Sequence, residues 1–339
     1  MFNNCDIQIE LDGNEPSHRA GDTLTGTVHV SVTDDCQCDD LLLTLEWFTH
    51  GRGNTTTQVV HQQSLFQGEW TAGDQHQYEF EVELPPGPYT YHGNYLNVDW
   101  RLRAHADIPW AKDPSAEQEL LLEPSGTEDD FRAGDPDVAE DALAPTDDDQ
   151  AISWSGVIFG IIFLGVGLPF LYQSIFSMQV VMGLFSIPFL AAGGFLVYRS
   201  LRNALAERRL GNVDVAMNAT EARPGERLRC RVSMEPTGTI ELNEITVRLH
   251  GHERVVSGHG TNKTTYTHTV HDETTSIRAS QQATIHGAFR TFEADVALPD
   301  SAPFSFHADA NELKWEVEVH VDVPQWPDWS HTETLTVRP

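Results

Sequence analysis

The chain has 339 residues, which is enough for two ordinary domains and further segments. Its 51 Asp and Glu residues outnumber 21 Lys and Arg residues, so the formal net charge is −30 at pH 7. A surface this acidic repels phosphate, which excludes nucleic acid as a partner and disfavours binding to anionic lipid headgroups.

Residues 1–122 predict a β-sandwich domain. Thr23–Val32 and Trp100–Ala106 alternate polar and apolar residues, the pattern of strands with one buried and one solvated face. The N-terminus has neither a basic start nor an apolar run, so no signal peptide is expected. Cys36 and Cys38 are too closely spaced for a structural zinc knuckle, and scattered free thiols fit a reducing compartment.

Residues 123–150 consist mainly of Pro, Gly, Ala, Asp and Glu, with Arg132 as the one basic residue. A segment of this composition cannot bury enough apolar surface to offset its chain entropy. We therefore expect an acidic, disordered linker whose like charges repel one another.

Residues 151–198 contain no charged side chain and predict a transmembrane hairpin. Each half is about 20 residues long, the length that crosses the hydrocarbon core of a bilayer. Small residues such as Gly156 and Gly160 allow the two helices to approach closely. The predicted segments are a first helix over 151–172, a turn over 173–179, and a second helix over 180–210 that ends in a cytosolic extension.

Arginines follow the hairpin directly, which favours the cytosolic side for that flank. They are Arg199, Arg202, Arg208 and Arg209. Because a hairpin brings both flanks to one side, both soluble domains are expected in the cytosol. The chain is thus predicted to be a two-pass integral protein of a prokaryotic inner or plasma membrane, in contact with the lipid bilayer through residues 151–198. The spans contain no ionisable group, so we interpret the hairpin as an anchor.

Residues 211–339 repeat the first domain. With a shift of 215, residues 88–124 align without a gap on 303–339, and Trp100 falls on Trp315. Near the start of each domain, Gly21 falls on Gly225 at a shift of 204. Duplication explains both matches. The predicted fold class is therefore mainly β, with two β-sandwich domains and a two-helix transmembrane hairpin.

Several short motifs carry a family resemblance. The turns Arg19-Ala20-Gly21-Asp22 and Arg223-Pro224-Gly225-Glu226 each precede an alternating strand, and a Pro-rich loop over 84–89 leads to the strand of Trp100. These features resemble arrestin-type domains, and residues 106–115 are similar to the bacterial sporulation-control branch of that superfamily. The resemblance covers both soluble domains and implies two immunoglobulin-like sandwiches that act as an adaptor or scaffold without catalysis. The acidic linker and the hairpin stand where arrestins have a short hinge.

The outward residues of the two core strands carry opposite charges. Together they form a candidate interaction face, which consists of Arg101, Arg103, His105, Glu316, Glu318 and His320. In one interpretation the two sandwiches pair pseudo-symmetrically through this face. In the other, both faces are solvated, because surface ion pairs contribute little to stability.

The 16 histidines raise a metal hypothesis. His250 and His252 lie two residues apart on a predicted strand and therefore point the same way. In the sequence, no acidic residue or cysteine lies near them at a spacing typical of a metal site. The competing interpretation is that they are exposed polar histidines without a ligand. The sequence also lacks a nucleophile elbow, a convincing triad and a phosphate loop. We therefore expect no enzyme activity, no cofactor and no metal.

These features together predict a membrane-anchored, non-catalytic adaptor or scaffold that binds a protein partner of unknown identity at the cytosolic membrane surface. The alternatives are a structural subunit of a larger membrane complex and a histidine-based metal-binding or catalytic domain. The acidity itself indicates either adaptation to a salty cytoplasm or a surface for a basic partner or cations.

Overall fold

A computed structural model describes residues 4–13, 17–110, 113–126, 154–177, 180–238, 240, 242–277 and 289–339. Most of the predicted acidic linker, residues 127–150, lies outside the described residues. The described chain forms two β-sandwich halves and a pair of long helices, which confirms the predicted mainly-β fold class.

The first half is a sandwich of two sheets. Its strands are β1 (Cys5–Leu11), β2 (Ser17–Arg19), β3 (Thr23–Val32), β4 (Cys36–Gly51), β5 (Thr57–Trp70), β6 (Gln75–Glu83), β7 (Tyr91–His92), β8 (Leu96–Asp107) and β9 (Ser115–Glu123). The small sheet has the order β1-β3-β6, and the large sheet has the order β2-β9-β8-β4-β5 with β7 beside β8. β2 and β9 run parallel, and the other described strand pairs of this half are antiparallel.

The second half repeats this order strand by strand. Its strands are β10 (Val213–Met217), β11 (Glu221–Ala222), β12 (Arg227–Met234), β13 (Glu244–Ser257), β14 (Thr264–Ile277), β15 (Arg290–Ala297), β16 (Phe306–Ala308), β17 (Asn311–Asp322) and β18 (Trp329–Val337). The small sheet is β10-β12-β15, and the large sheet is β11-β18-β17-β13-β14 with β16 beside β17. β11 and β18 are again the parallel pair.

The central strands β8 and β17 explain why both halves close around an apolar core. Buried residues alternate with half-buried ones along both strands, as the period-two sequence pattern requires. Trp100 and Trp315 are fully buried at equivalent places. Their indole N–H groups donate to the carbonyls of Pro88 and Pro303, at 2.7 and 3.0 Å. The polar end of each ring is therefore satisfied inside the core.

The apolar run between the halves forms two antiparallel helices, α1 (Trp154–Ser177) and α2 (Val180–Leu210). Residues 173–177, which were predicted as part of the turn, are helical, because α1 continues through Ser177. Gln173 and Ser174 are polar, but neither residue type ends a helix as glycine or proline does. Both helices are long and apolar enough to cross a membrane, and only 11% of the most apolar window of each is buried.

Two glycines set the closest approach of the helices. A Cβ at Gly160 would lie 2.9 Å from the carbonyl oxygen of Gly193, and one at Gly193 would lie 2.8 Å from that of Gly160. By contrast, a Cβ at Gly165 or Gly194 would meet nothing within 4 Å. The backbones therefore touch where both helices lack side chains.

The last turns of α2 dock on the second sandwich. The Asn203 side-chain amide donates to the Ser330 carbonyl at 3.0 Å and accepts from the Ser330 N–H at 3.4 Å. The Trp329 indole donates to the Glu207 carboxylate at 3.2 Å. Ala206 is fully buried in the same contact. The predicted extension of the second helix is thus part of the packed second half.

Candidate functional site

The two sandwiches meet at a surface that we call the junction. From the first half it takes Trp47, Thr49, Arg52–Asn54, Tyr89, Tyr91 and Gly93–Tyr95; from the second half it takes Glu253, Val256, Gly258, Tyr266, His268, Phe304, Phe306 and Asn311. The cores also overlap there, since Leu96 and Val98 of the first half belong to the hydrophobic cluster of the second.

Glu253 is the charged centre of the junction. A β-bulge between Gly251 and His252 breaks the alternation of β13, so that three consecutive residues are buried and Glu253 is fully shielded from solvent. Its Oε1 accepts from the Tyr91 hydroxyl at 2.7 Å and the Asn94 N–H at 2.9 Å, and its Oε2 accepts from the Tyr95 N–H at 2.7 Å. A buried carboxylate is tolerated only with such donors, and here all three come from the other half.

Asn311 also belongs to the second half, but it links the halves as a hydrogen-bond donor. Its side-chain amide donates to the Thr49 hydroxyl at 2.9 Å and to the Asn54 carbonyl at 2.7 Å. Asn54 in turn exchanges two 3.0 Å hydrogen bonds with the backbone of Gly258. Asn311 is almost fully buried, so these bonds exclude water from the contact.

The junction is pseudo-symmetric. Tyr89 and Phe304, which correspond at the shift of 215, pack edge to face with ring centroids 5.4 Å apart. Thr49 and Glu253, which correspond at the shift of 204, each contact the start of the other half's central strand or the loop just before it, through Asn311 and Asn94. Two copies of one domain thus use the same elements against each other, as in an isologous dimer.

A small open pocket of about 370 Å³ lies beside Glu253. It is lined by Tyr91, Gly93, Asn94, Glu253, His268, Thr269 and Val270. Burial, together with the hydrogen bond to Glu253, raises the pKa of the Tyr91 hydroxyl, so this group remains a donor at physiological pH. Next to the pocket, the Arg52 guanidinium lies over the rings of Tyr95 and Tyr266, at 4.8 and 4.5 Å from their centroids.

The arginines of the candidate interaction face find partners inside their own sandwich. Arg101 donates to Glu46 at 2.6 Å and to Glu117 at 3.3 Å, and Arg103 lies 3.7 Å from Glu117. His105 lies 3.8 Å from Asp113. The first half thus neutralises both arginines internally.

The glutamates of the candidate interaction face also find partners inside their own sandwich, the second half. Glu316 pairs with Lys314 at 2.6 Å, and Glu318 pairs with Arg248 at 3.4 Å. His320 lies 3.7 Å from Asp328, which repeats the geometry of His105. Among the described ion pairs, none joins the arginines of the first core strand to the glutamates of the second. The described hydrogen bonds between the halves lie at the junction.

A cluster of potential metal ligands lies on the large sheet of the second half. His250 faces Glu316 across β13 and β17, and the ligand atoms of His250, His252 and Glu316 all lie within 4.8 Å of one another. The two imidazole rings stack with centroids 4.9 Å apart. Burial lowers the pKa of His252, which keeps its ring neutral at physiological pH. The sequence analysis missed Glu316 as a neighbour of these histidines, because it is distant in the sequence and comes close only through the pairing of β13 with β17.

No family model and no curated protein matches the chain. Among solved structures, the crystal structure of Spo0M, a sporulation control protein from Bacillus subtilis, matches with 19% sequence identity and a TM-score of 0.31. The match covers 36% of this chain and 50% of that one, so the chain spans about half the length of the protein it matches. At this TM-score the likeness carries no argument about function, and the fold rests on the strands described above.

Proposed function

We propose that this protein is a membrane-anchored, non-catalytic adaptor that binds a protein partner at the cytosolic face of the bilayer. The observation that carries the proposal is the continuity from hairpin to sandwiches. The last turns of α2 pack on β18, and the junction then holds the first sandwich to the second. A partner bound to either sandwich is thereby held near the membrane, where anchoring raises its effective concentration.

Long sheet edges are the recognition surface we infer. β5 and β14 are each 14 residues long and form the outer edges of the two large sheets. Neither strand contains lysine or proline, the residues that commonly protect an edge from pairing. β5 also exposes Val59 and Val60. An extended segment of a partner would add as a further strand, with main-chain hydrogen bonds giving affinity and outward side chains giving specificity.

Purification of the tagged full chain in a gentle detergent or in nanodiscs, followed by mass spectrometry, identifies the partner. The parallel protein lacks residues 151–198. Recovery of the same partner with both proteins supports recognition by the sandwiches. A partner recovered only with the hairpin present would contradict the adaptor and favour a subunit of a membrane assembly, with the open surfaces at Gly165 and Gly194 as helix contacts.

A second comparison tests the edge itself. Val59→Lys with Val60→Lys places two charges on the exposed part of β5, whereas Thr265→Lys places one on the exposed part of β14. Loss of the partner with one variant and not with the other assigns the binding edge. Retention of the partner by both variants would contradict recognition through the sheet edges.

A further inference from the structure

The second sandwich contains a compact set of ligand atoms that the adaptor function does not use. His250 and His252 lie on the same face of β13, and Glu316 is the cross-strand neighbour of His250 on β17. Their ligand atoms lie within 4.8 Å of one another. Tetrahedral zinc holds its ligand atoms about 3.3–3.6 Å apart, from metal–ligand distances of about 2.0–2.2 Å. Small side-chain rotations on fixed strands therefore close the set around an ion.

We propose that His250, His252 and Glu316 bind a divalent transition-metal ion such as Zn²⁺. Two imidazoles and one carboxylate are a donor set that suits zinc and leaves a fourth position for water or an outside ligand. The same donors also suit other first-row divalent ions such as Co²⁺, whose affinities for such a site follow the Irving–Williams order.

An unpartnered ring nitrogen supports the site independently of this distance criterion. His252 is only 9% exposed, and its Nδ1 atom is buried without a hydrogen-bond partner among the described residues. A buried polar atom without a partner is unfavourable and is rare in folded proteins. A bound ion that orders this ring would remove that deficit either directly or by reorienting the imidazole.

The first sandwich shows what the same place becomes without metal ligands. At the shift of 204, Glu46 and Phe48 correspond to His250 and His252, and at the shift of 215, Arg101 corresponds to Glu316. There Arg101 donates to Glu46 at 2.6 Å and lies over the Phe48 ring at 4.6 Å. A guanidinium thus provides the cation in the first half, whereas the second half has ligands in all three positions.

Lys314 competes for the site. Its ammonium lies 2.6 Å from Glu316 Oε1, and it faces His252 across the strands. A bound dication must share Glu316 with this ammonium or displace it, which weakens binding. Replacement of Lys314 by an uncharged residue is therefore expected to tighten it.

Titration of the chelator-treated full chain with Co²⁺, in detergent, tests the proposal. We expect one Co²⁺ per chain with visible d–d absorption bands that Zn²⁺ bleaches. His250→Ala and Glu316→Gln each remove a ligand, so each should raise the Kd by more than the roughly 10–100-fold that loss of an outer-shell partner costs. His259→Ala, an exposed histidine outside the cluster, is the matched control and should leave the Kd unchanged.

Lys314→Met should lower the Kd for Co²⁺, a gain that a misfolded variant cannot produce. Circular dichroism verifies that the two ligand variants are folded. Binding that survives both His250→Ala and Glu316→Gln unchanged, or the absence of d–d bands in the unmodified chain, would overturn the site. Neither outcome affects the adaptor proposal, which rests on the junction and the sheet edges.

Discussion

Single residues decide how the two sandwiches are joined. Glu253 is a carboxylate without solvent access, and its three donors belong to the other half. Gly93 allows this approach, because a methyl group there would overlap the Glu253 carboxylate. Without these donors the charge would be buried and unpaired, which is strongly unfavourable. The junction is therefore specific to one relative orientation of the halves.

Glu253→Gln should destabilise the folded chain by about 1.5–3 kcal/mol, the value of hydrogen bonds to a charged group. The amide replaces one acceptor oxygen with an N–H₂ group that faces a donor. Chemical denaturation in detergent measures the loss. Glu273→Gln, on an exposed part of β14, is the control and should change stability very little. An equal loss in both variants would show that Glu253 has no special role.

The buried thiols predict an alkaline limit to stability. Burial raises the pKa of Cys5 and Cys38 to about 12 and that of Cys230 to about 11. Unfolded thiols ionise near the ordinary cysteine pKa of 9.0, so above that pH the unfolded state loses protons that the folded state keeps. These cysteines therefore stabilise the fold below pH 9, and this contribution is lost as the pH rises toward 12.

Maleimide labelling of the folded chain at pH 9 tests this explanation. The half-buried Cys36 should react first, whereas Cys5, Cys38 and Cys230 should react only after denaturation. Rapid labelling of all four thiols in the folded state would contradict the assigned burial.

Among the secondary-structure elements, α1 and α2 come into backbone contact at Gly160 and Gly193. Gly193 touches the backbone of α1, while its neighbour Gly194 faces open space. Gly193→Val should therefore separate the helices and lower the melting temperature in detergent, and Gly194→Val should have little effect. Cysteine crosslinking between α1 and α2 reports the separation directly. Equal melting temperatures for the two variants would contradict the glycine contact.

The end of α2 is the second element with a testable role. Asn203→Ala removes both side-chain bonds to the Ser330 backbone and leaves that buried donor and acceptor unsatisfied. We expect faster amide hydrogen exchange over the last turns of α2 and in β18. Arg199→Ala, on an exposed part of the same helix, serves as the control. Unchanged exchange in β18 would mean that the helix end is not docked.

On the scale of the whole molecule, the sequence predicted the elements better than their assembly. Period-two alternation identified β3 and β8, and an uncharged run identified both helices, because each signal depends on local burial alone. Matching residues at constant shifts also revealed the repeat. The junction could not be derived in this way, since its contacts join Glu253 to Asn94 and Asn311 to Thr49, pairs that lie far apart in the sequence.

The charge pattern of the two core strands left two interpretations of the assembly open. Arg101 and Glu316 have opposite charges at corresponding positions, which allows either pairing between the halves or two solvated faces. In the structure each finds a nearer partner on its own sheet, Glu46 and Lys314. Cross-strand neighbours are available as soon as a sheet forms, so they satisfy such charges before two domains meet.

We expect the junction to make the two sandwiches one rigid unit. Glu79→Cys and Ala297→Cys place one spin label on an exposed position of each half, in a chain with Cys36→Ser. Pulsed electron paramagnetic resonance in nanodiscs then measures the distance between the two labels. We predict one narrow distance distribution that broadens when Gly93→Ala is added. A broad distribution in the chain that retains Gly93 would contradict the claim, because the halves would then move independently.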